Sequence, residues 1–247
     1  MKLNRRISTS MALMLGLLLL ATVAPADGPE SYQLSNVERI KQITNYCGPA
    51  CLASVMRFYG KPITQEAIGR AIYDALSGAT NGADMLYYAR QVGFDAYTWN
   101  SSLADVKAKI SAGIPVIVLQ QNSATDVSGH YRVLTGFDDS LGQFSVMDPY
   151  YDSIKALSYD QCEKFWRTMG HWALAVIPPD KDKFAAELDA KNPVVHMDLS
   201  QVLFKHRDYD RAYKEAQRAL ELEPGNRFAL SMLGKIKGAA GQVKKRG

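Results

Sequence analysis

The chain is organised around a cysteine that immediately precedes an apolar, helix-like segment. Cys47 is followed by Gly48 and Pro49, and apolar residues over positions 48–59 recur at the i, i+3, i+4 and i+7 spacing of an amphipathic helix. A thiol at the start of a helix lies at the positive end of the helix dipole, which lowers its pKa. Upstream, Gln42 carries an amide that can donate a hydrogen bond to an oxyanion beside that thiol. This segment predicts a central helix with a reactive thiol at its N-terminus.

The N-terminal segment has the composition of a secretory signal peptide. Basic residues at positions 2, 5 and 6 precede an apolar run over 11–23, and Ala24-Pro25-Ala26 is an A-x-A cleavage signal. The apolar run is shorter than the ~20 residues that a membrane span needs, which favours a cleaved signal over an uncleaved anchor. We therefore expect cleavage near Ala26 and a periplasmic or secreted protein without stable membrane insertion afterwards.

Charge and cysteine content exclude several functional classes. The full chain carries a formal net charge of +4, and the three basic signal residues account for three of these charges, which leaves +1 and no basic excess for nucleic acid. The chain has three cysteines, so one thiol stays unpaired in an oxidising compartment. Cys47 and Cys51 lie one helical turn apart, a poor disulfide spacing, whereas a bridge between Cys51 and Cys162 stays open. No residue cluster has metal-ligand spacing, so we expect neither a metal nor another cofactor.

Hydrophobic periodicity predicts a helical half followed by an antiparallel sheet. Helices are predicted over 48–59, 65–76, 83–92 and 102–111. Strands are predicted over 37–43, 94–99, 115–120, 131–137, 143–148 and 171–177. The first of these strands would place Gln42 near the Cys47 thiol. The turn over 138–142 would join the strands 131–137 and 143–148 as a hairpin. The order of elements is that of an α+β fold.

Beyond Pro178 and Pro179 the composition becomes helical and charged. Helices are predicted over 183–190, 193–205, 209–222 and 227–238. The spacing of five residues matches a tetratricopeptide repeat: Leu199, Ala212, Ala216, Ala219 and Pro224. Because about three stacked repeats are needed to bury such a core, we expect this short tail to dock on the preceding domain, on a second copy or on a partner. The predicted units are a signal peptide (1–26), an α+β domain (27–179) and a helical tail (180–247).

A cysteine nucleophile needs a base and a group that orients the base. His130 follows a polar loop and opens a predicted strand, whereas His171 is assigned a packing or surface role. His196 and His206 fall in the tail. Asp148 ends the next strand, and the hairpin returns it to the level of His130. Taken singly, such residues are more typical of a core thiol, a loop and a turn, but together with the upstream amide they fill four complementary roles.

Three segments of the chain resemble papain-like cysteine peptidases, in particular the branch related to the double-glycine leader peptidases that trim bacteriocin and peptide-export precursors. The segments are QxxxxCGPA over 42–50, GHYRVLTGFD over 129–138 and VMDP over 146–149. The resemblance covers about 37–179 and implies a papain-like fold. It implies four roles: Cys47 as nucleophile, His130 as general base and acid, Asp148 as orienting group and Gln42 as oxyanion donor.

The resemblance also bears on the biological setting. Family members that process export leaders are commonly fused to a membrane transporter, whereas this chain carries a signal-like segment and helical repeats, as a smaller set of exported relatives does. We expect an exported cysteine peptidase that hydrolyses a peptide bond through a thioester intermediate, with protein association or self-association through the repeats. A non-catalytic peptide-binding module is the alternative, and acyl transfer by the same residues is a third possibility.

Overall fold

The computed structural model describes residues 28–151, 153–179 and 191–244. The predicted signal peptide and the predicted helix over 183–190 lie outside these residues. The described strands are β1 (Ser31–Gln33), β2 (Tyr73–Asp74), β3 (Ala79–Thr80), β4 (Asp95–Asn100), β5 (Val116–Gln121), β6 (Gly129–Asp138), β7 (Gln143–Met147), β8 (Lys155–Ser158) and β9 (Trp172–Ile177). The described helices are α1 (Cys47–Phe58), α2 (Gln65–Ile72), α3 (Gly82–Gln91), α4 (Leu103–Ser111), α5 (Tyr159–Arg167), α6 (Pro193–Lys205), α7 (Tyr209–Leu222) and α8 (Arg227–Lys244).

The main sheet has seven strands, and each neighbouring pair is antiparallel. Its order is β4-β9-β5-β6-β7-β8, and β1 also pairs with β6. The hairpin between β6 and β7 turns over 139–142 and sets Val133 opposite Met147. Helices pack with this sheet around one hydrophobic core, so the predicted α+β, papain-like fold class is confirmed.

Helix α1 is the most deeply buried element of the helical half. All nine residues over 48–56 are buried, so the helix is apolar on every side, as expected for a central helix. Gly48 approaches Thr80 closely, since a Cβ at position 48 would lie 3.1 Å from the Thr80 side chain. Gly69 on α2 leaves room for the ring of Tyr46, the residue that precedes α1. Close packing at both positions fixes the N-terminus of α1 relative to its neighbours.

Parts of the secondary-structure prediction are wrong or incomplete. Residues 37–43 form no strand. Their backbone bonds to a side chain instead of a neighbouring strand: Gln65 accepts a hydrogen bond from Ile43 N (3.1 Å) and donates one to Lys41 O (2.8 Å). The second helix ends at Ile72 rather than 76, because the chain enters the β2–β3 hairpin. Helix α5 was not predicted, although Ser158 caps it and Cys162, Phe165 and Trp166 are its buried residues.

The helical tail (α6–α8, residues 193–244) docks on the α+β domain, which is the first of the three predicted arrangements. Helix α6 packs on α3 and β4, and its apolar residues join the main core cluster. Lys205 Nζ donates to Asp84 Oδ2 (2.9 Å), His206 stacks on Tyr87, and Asn192 donates to the backbone of Thr98. Among the described residues no helix is long and apolar enough to cross a membrane. The tetratricopeptide assignment and the domain boundaries stay predictions.

Candidate active site

Cys47 is the first residue of α1, and its thiol lies at the edge of a cavity of about 680 Å³. Burial raises the pKa of this thiol, but hydrogen bonds to the His130 side chain and from the backbone N–H groups of Tyr131 and Gly48 outweigh burial. The net pKa lies below the ordinary thiol value. The sequence prediction of a lowered thiol pKa relied on the helix terminus alone, whereas the structure adds a neighbouring imidazole.

His130 is the second residue of β6, where it lies opposite Gln120 of β5. Its Nε2 lies 2.9 Å from Asp148 Oδ1. This contact leaves Nδ1 as the nitrogen that faces the Cys47 thiol. Burial lowers the pKa of His130, but the hydrogen bonds to Asp148 and Cys47 raise it overall above the ordinary imidazole value. A lowered thiol pKa beside a raised imidazole pKa favours a thiolate–imidazolium pair.

Asp148 directly follows the last residue of β7, and it is buried rather than exposed at the sheet rim. Besides His130, the carboxylate accepts from Arg132 Nε at Oδ2 (2.7 Å) and from Tyr150 N at Oδ1 (2.9 Å). Burial alone would raise the pKa of this carboxyl, but His130 and Arg132 bring it down to about 2. Asp148 is therefore ionised throughout the neutral range, as a group that orients an imidazole should be.

Arg132 is a site residue that the sequence prediction missed. Its guanidinium donates to Asp148, to Gln120 Oε1 (3.3 Å) and to the backbone oxygen of Asn122 (2.7 Å). Gln120 Nε2 in turn lies 3.1 Å from Cys162 Sγ. The available signal was a charged residue inside the predicted strand 131–137, because buried arginine is almost always paired. Arg132 thus fixes the carboxylate from the side opposite His130.

Gln42 lines the same cavity as the thiol, although no strand carries it there. Its backbone N–H donates to Pro149 O (2.9 Å), which ties it to the residue after Asp148. Its Oε1 is buried without a hydrogen-bond partner among the described residues. The amide nitrogen has no protein partner there either, so it is available to an oxygen bound in the cavity.

The walls of the cavity come from both halves of the fold and from the tail. Part of the lining runs along positions 77–83, and the rest includes Leu119, Trp172 and residues of the loop over 122–129. Tyr131 closes the floor, since its hydroxyl donates to Thr80 O (3.3 Å). Asp198 and Gln201 of α6 complete the lining. The lining residues from the tail could not be predicted, because the sequence leaves the docking surface of the tail open.

The other candidate residues do not line this cavity. Cys51 and Cys162 are buried free thiols, so the bridge left open between them does not form. His171 contacts Glu163 (2.8 Å), and His196 contacts Glu215 (2.7 Å) across the tail helices. Among the described residues no group of three potential ligands is arranged for a metal ion.

Comparisons with known proteins agree with this fold. Residues 34–174 match the model of the Peptidase C39 like family. A protein from Bacillus anthracis described as a C39-like peptidase is 17% identical, with a TM-score of 0.50 over 60% of this chain and 98% of its own. The peptidase domain of Streptococcus ComA, a bifunctional ABC transporter involved in a quorum-sensing pathway, is 22% identical, with a TM-score of 0.50 over 57% and 98%. No curated protein matches the chain.

These solved structures share the fold of the α+β domain, and the family match ends at residue 174, before the tail. The family match covers more than half of the chain, and it includes the thiol, the imidazole and the carboxylate described above. The chain therefore belongs to the Peptidase C39 like family, and it is a cysteine-type peptidase with a papain-like fold.

Proposed function

We propose that the protein is an exported peptidase that hydrolyses peptide bonds through a thioester on Cys47. The observation that carries this proposal is the continuous hydrogen-bonded chain from Cys47 through His130 to Asp148 beside an open cavity. The Cys47 thiolate attacks the scissile carbonyl carbon, and the carbonyl π electrons move to oxygen. The imidazolium of His130 then gives its proton to the leaving amine as the C–N bond breaks, which leaves an acyl group on sulfur.

The second half of the reaction uses the same residues in the reverse order. His130 takes a proton from water, the hydroxide oxygen attacks the thioester carbon, and the C–S bond breaks to return the thiolate. Asp148 keeps the imidazole oriented in both halves, and Arg132 keeps Asp148 ionised. These groups supply every proton transfer that hydrolysis needs.

We assign Gln42 as a donor to the oxyanion. Its amide nitrogen and the backbone N–H of Cys47, one of the unpaired donors of the first helical turn, can both face a tetrahedral oxygen beside the thiol. A donor of this kind commonly contributes about 10²-fold to 10³-fold in kcat.

Export is the part of the proposal that rests on the N-terminal sequence. The basic, apolar and A-x-A segments over 1–26 support secretion to the periplasm or beyond, with cleavage near Ala26. A peptide or protein substrate fits the open cavity and the family. A low-pKa thiol in an oxidising compartment is prone to oxidation, so full activity should require a reductant.

Product analysis tests hydrolysis against acyl transfer. The purified protein is incubated under reducing conditions with a proteome-derived peptide pool in water that is half H₂¹⁸O, with an added primary amine. We expect new C-termini that carry ¹⁸O, because water resolves the thioester. Products capped by the amine would instead identify acyl transfer, and an unchanged pool in the presence of a reduced Cys47 would contradict the proposed function.

A further inference from the structure

The helical tail reaches the cavity that contains Cys47. Helix α6 contributes Asp198 and Gln201 to its lining. These residues lie beyond position 174, where the family match ends. The tail is therefore a wall of the substrate site that the family domain alone does not contain.

Asp198 is held at a fixed place in this wall. Its Oδ2 accepts from Trp172 Nε1 (3.2 Å), and the Trp172 ring packs edge-to-face on Tyr131 with centroids 5.7 Å apart. On its other side the same ring fills the space above Gly82, where an added Cβ would lie 2.5 Å from it. Tyr131 is adjacent to His130, so the carboxylate of Asp198 is positioned relative to the reacting groups through packed rings.

The carboxylate of Asp198 has no cationic partner among the described residues. It is half-buried, and burial raises its pKa above the ordinary carboxyl value despite the hydrogen bond from Trp172. An ionised carboxylate in such a place is destabilised unless a cation approaches it. The open side of Asp198 faces the cavity, from which a bound peptide side chain could supply that cation.

The rest of the cavity also favours a positively charged side chain. No lysine or arginine is among its described lining residues, and His130 is already paired with Asp148. A second carboxylate, Asp126 in the loop over 122–129, has a pKa of about 2 because Asn122 and Ser128 donate to it. A lysine or arginine side chain would thus enter a site of net negative charge.

The cleft continues from Asp198 onto the tail. A second cavity of about 660 Å³ shares Asp198 and Gln201 with the first and extends to the turn between α7 and α8. Phe228, exposed over 43% of its surface, lines this second cavity. An extended peptide can therefore lie across Asp198 with further residues against the tail.

We propose that Asp198 forms a specificity subsite for a lysine or arginine side chain of the peptide substrate, so that the helical tail selects what the peptidase domain cleaves. This inference rests on the proposed function, because it names the substrate class of the same site. A charge-assisted hydrogen bond in a partly buried site should favour a cationic side chain over an uncharged one by roughly 10-fold to 100-fold.

Binding without turnover tests the subsite separately from catalysis. Each fluorescein-labelled octapeptide pool has either lysine or its uncharged analogue norleucine at one fixed position, and neutral residues at all others. Separate pools test each of the positions. Fluorescence anisotropy gives their affinities for Cys47→Ala protein, with and without Asp198→Asn. We expect lysine to be favoured at one position, and Asp198→Asn, which keeps an oxygen for Trp172, should remove most of that preference.

Two further variants make the result decisive. Asp210→Asn removes the same charge from an exposed position of α7 that lines neither cavity, and it should leave the lysine preference unchanged. Asp198→Lys should reverse the preference toward glutamate at the same position. Lysine and norleucine binding equally at every position, or a preference that survives Asp198→Asn, would overturn the inference. Either result can occur while the unmodified protein still hydrolyses peptides, so failure of the subsite differs from failure of the proposed function.

Discussion

Replacing Cys47 with alanine is expected to abolish peptide hydrolysis while the fold is retained. The substitution removes the only atom that can form the acyl intermediate, and His130 has no other nucleophile to activate at that position. Loss of a catalytic nucleophile typically lowers kcat by about 10⁴-fold or more. The fold should tolerate the change because Cys47 is at the first position of α1, is only half-buried, and alanine is a good helix former.

The measurement is the rate of appearance of new peptide termini, with thermal unfolding as the check on the fold. Cys51→Ala provides a matched control, because it removes another thiol one helical turn later that is buried and has a raised pKa. That variant should lose about 1 kcal/mol of stability and keep its hydrolytic activity. Hydrolysis by the Cys47→Ala protein at an undiminished rate would rule out Cys47 as the nucleophile.

Asp148→Asn is expected to damage both activity and stability. Without the carboxylate, His130 loses the partner that raises its pKa and fixes its orientation, so kcat should fall by about 10²-fold to 10⁴-fold. The same change leaves the buried guanidinium of Arg132 without its countercharge. Breaking a buried ion pair on one side costs about 3–5 kcal/mol in the free energy of unfolding.

The difference in free energy of unfolding between the unmodified protein and Asp148→Asn should decrease as the pH falls. Asp148 has its pKa depressed from 3.8 to about 2 by folding, so its contribution is fully present above pH 3.8 and is lost as the pH falls through about 2. Urea unfolding at pH 7 should therefore show the full difference between the unmodified protein and Asp148→Asn, and the difference should narrow between pH 3.8 and 2.

A double variant separates the two roles of Asp148. Adding Arg132→Met to Asp148→Asn removes the uncompensated charge and should recover part of the lost stability without recovering activity. Recovery of hydrolysis together with stability would mean that Asp148 acts only on the fold, which contradicts its role in orienting His130.

Local patterns predicted much of the fold. Helix α1 begins and ends within one residue of its predicted range, because a helical spacing of apolar residues over three turns predicts a helix strongly. The β6–β7 hairpin was predicted from its turn residues, and it brings Asp148 to the level of His130 as the sequence interpretation required. Cys47, His130 and Asp148 can therefore be grouped from the sequence alone.

Features that depend on distant contacts could not be predicted in this way. Strand β1 is short and exposed, and it pairs with residues about 100 positions later in β6. Gln42 reaches the cavity on an irregular segment whose bonds come from the Gln65 side chain and from Pro149. The tail pattern predicted helices but left three docking surfaces open, so the position of Asp198 beside Trp172 became visible only in the folded chain.

The pH dependence of alkylation at Cys47 tests the central claim most directly. Iodoacetamide reacts with the thiolate, and mass spectrometry of peptides separates Cys47 from Cys51 and Cys162, which are buried and have raised pKa values. Because His130 lowers the pKa of Cys47, we expect alkylation of Cys47 to begin at a lower pH than that of an ordinary thiol, and to decrease only when acid protonates the thiolate. In His130→Ala protein, loss of the hydrogen bond and the charge of the imidazole should move this transition to higher pH. Coincident pH profiles for the two proteins would contradict the thiolate–imidazolium pair.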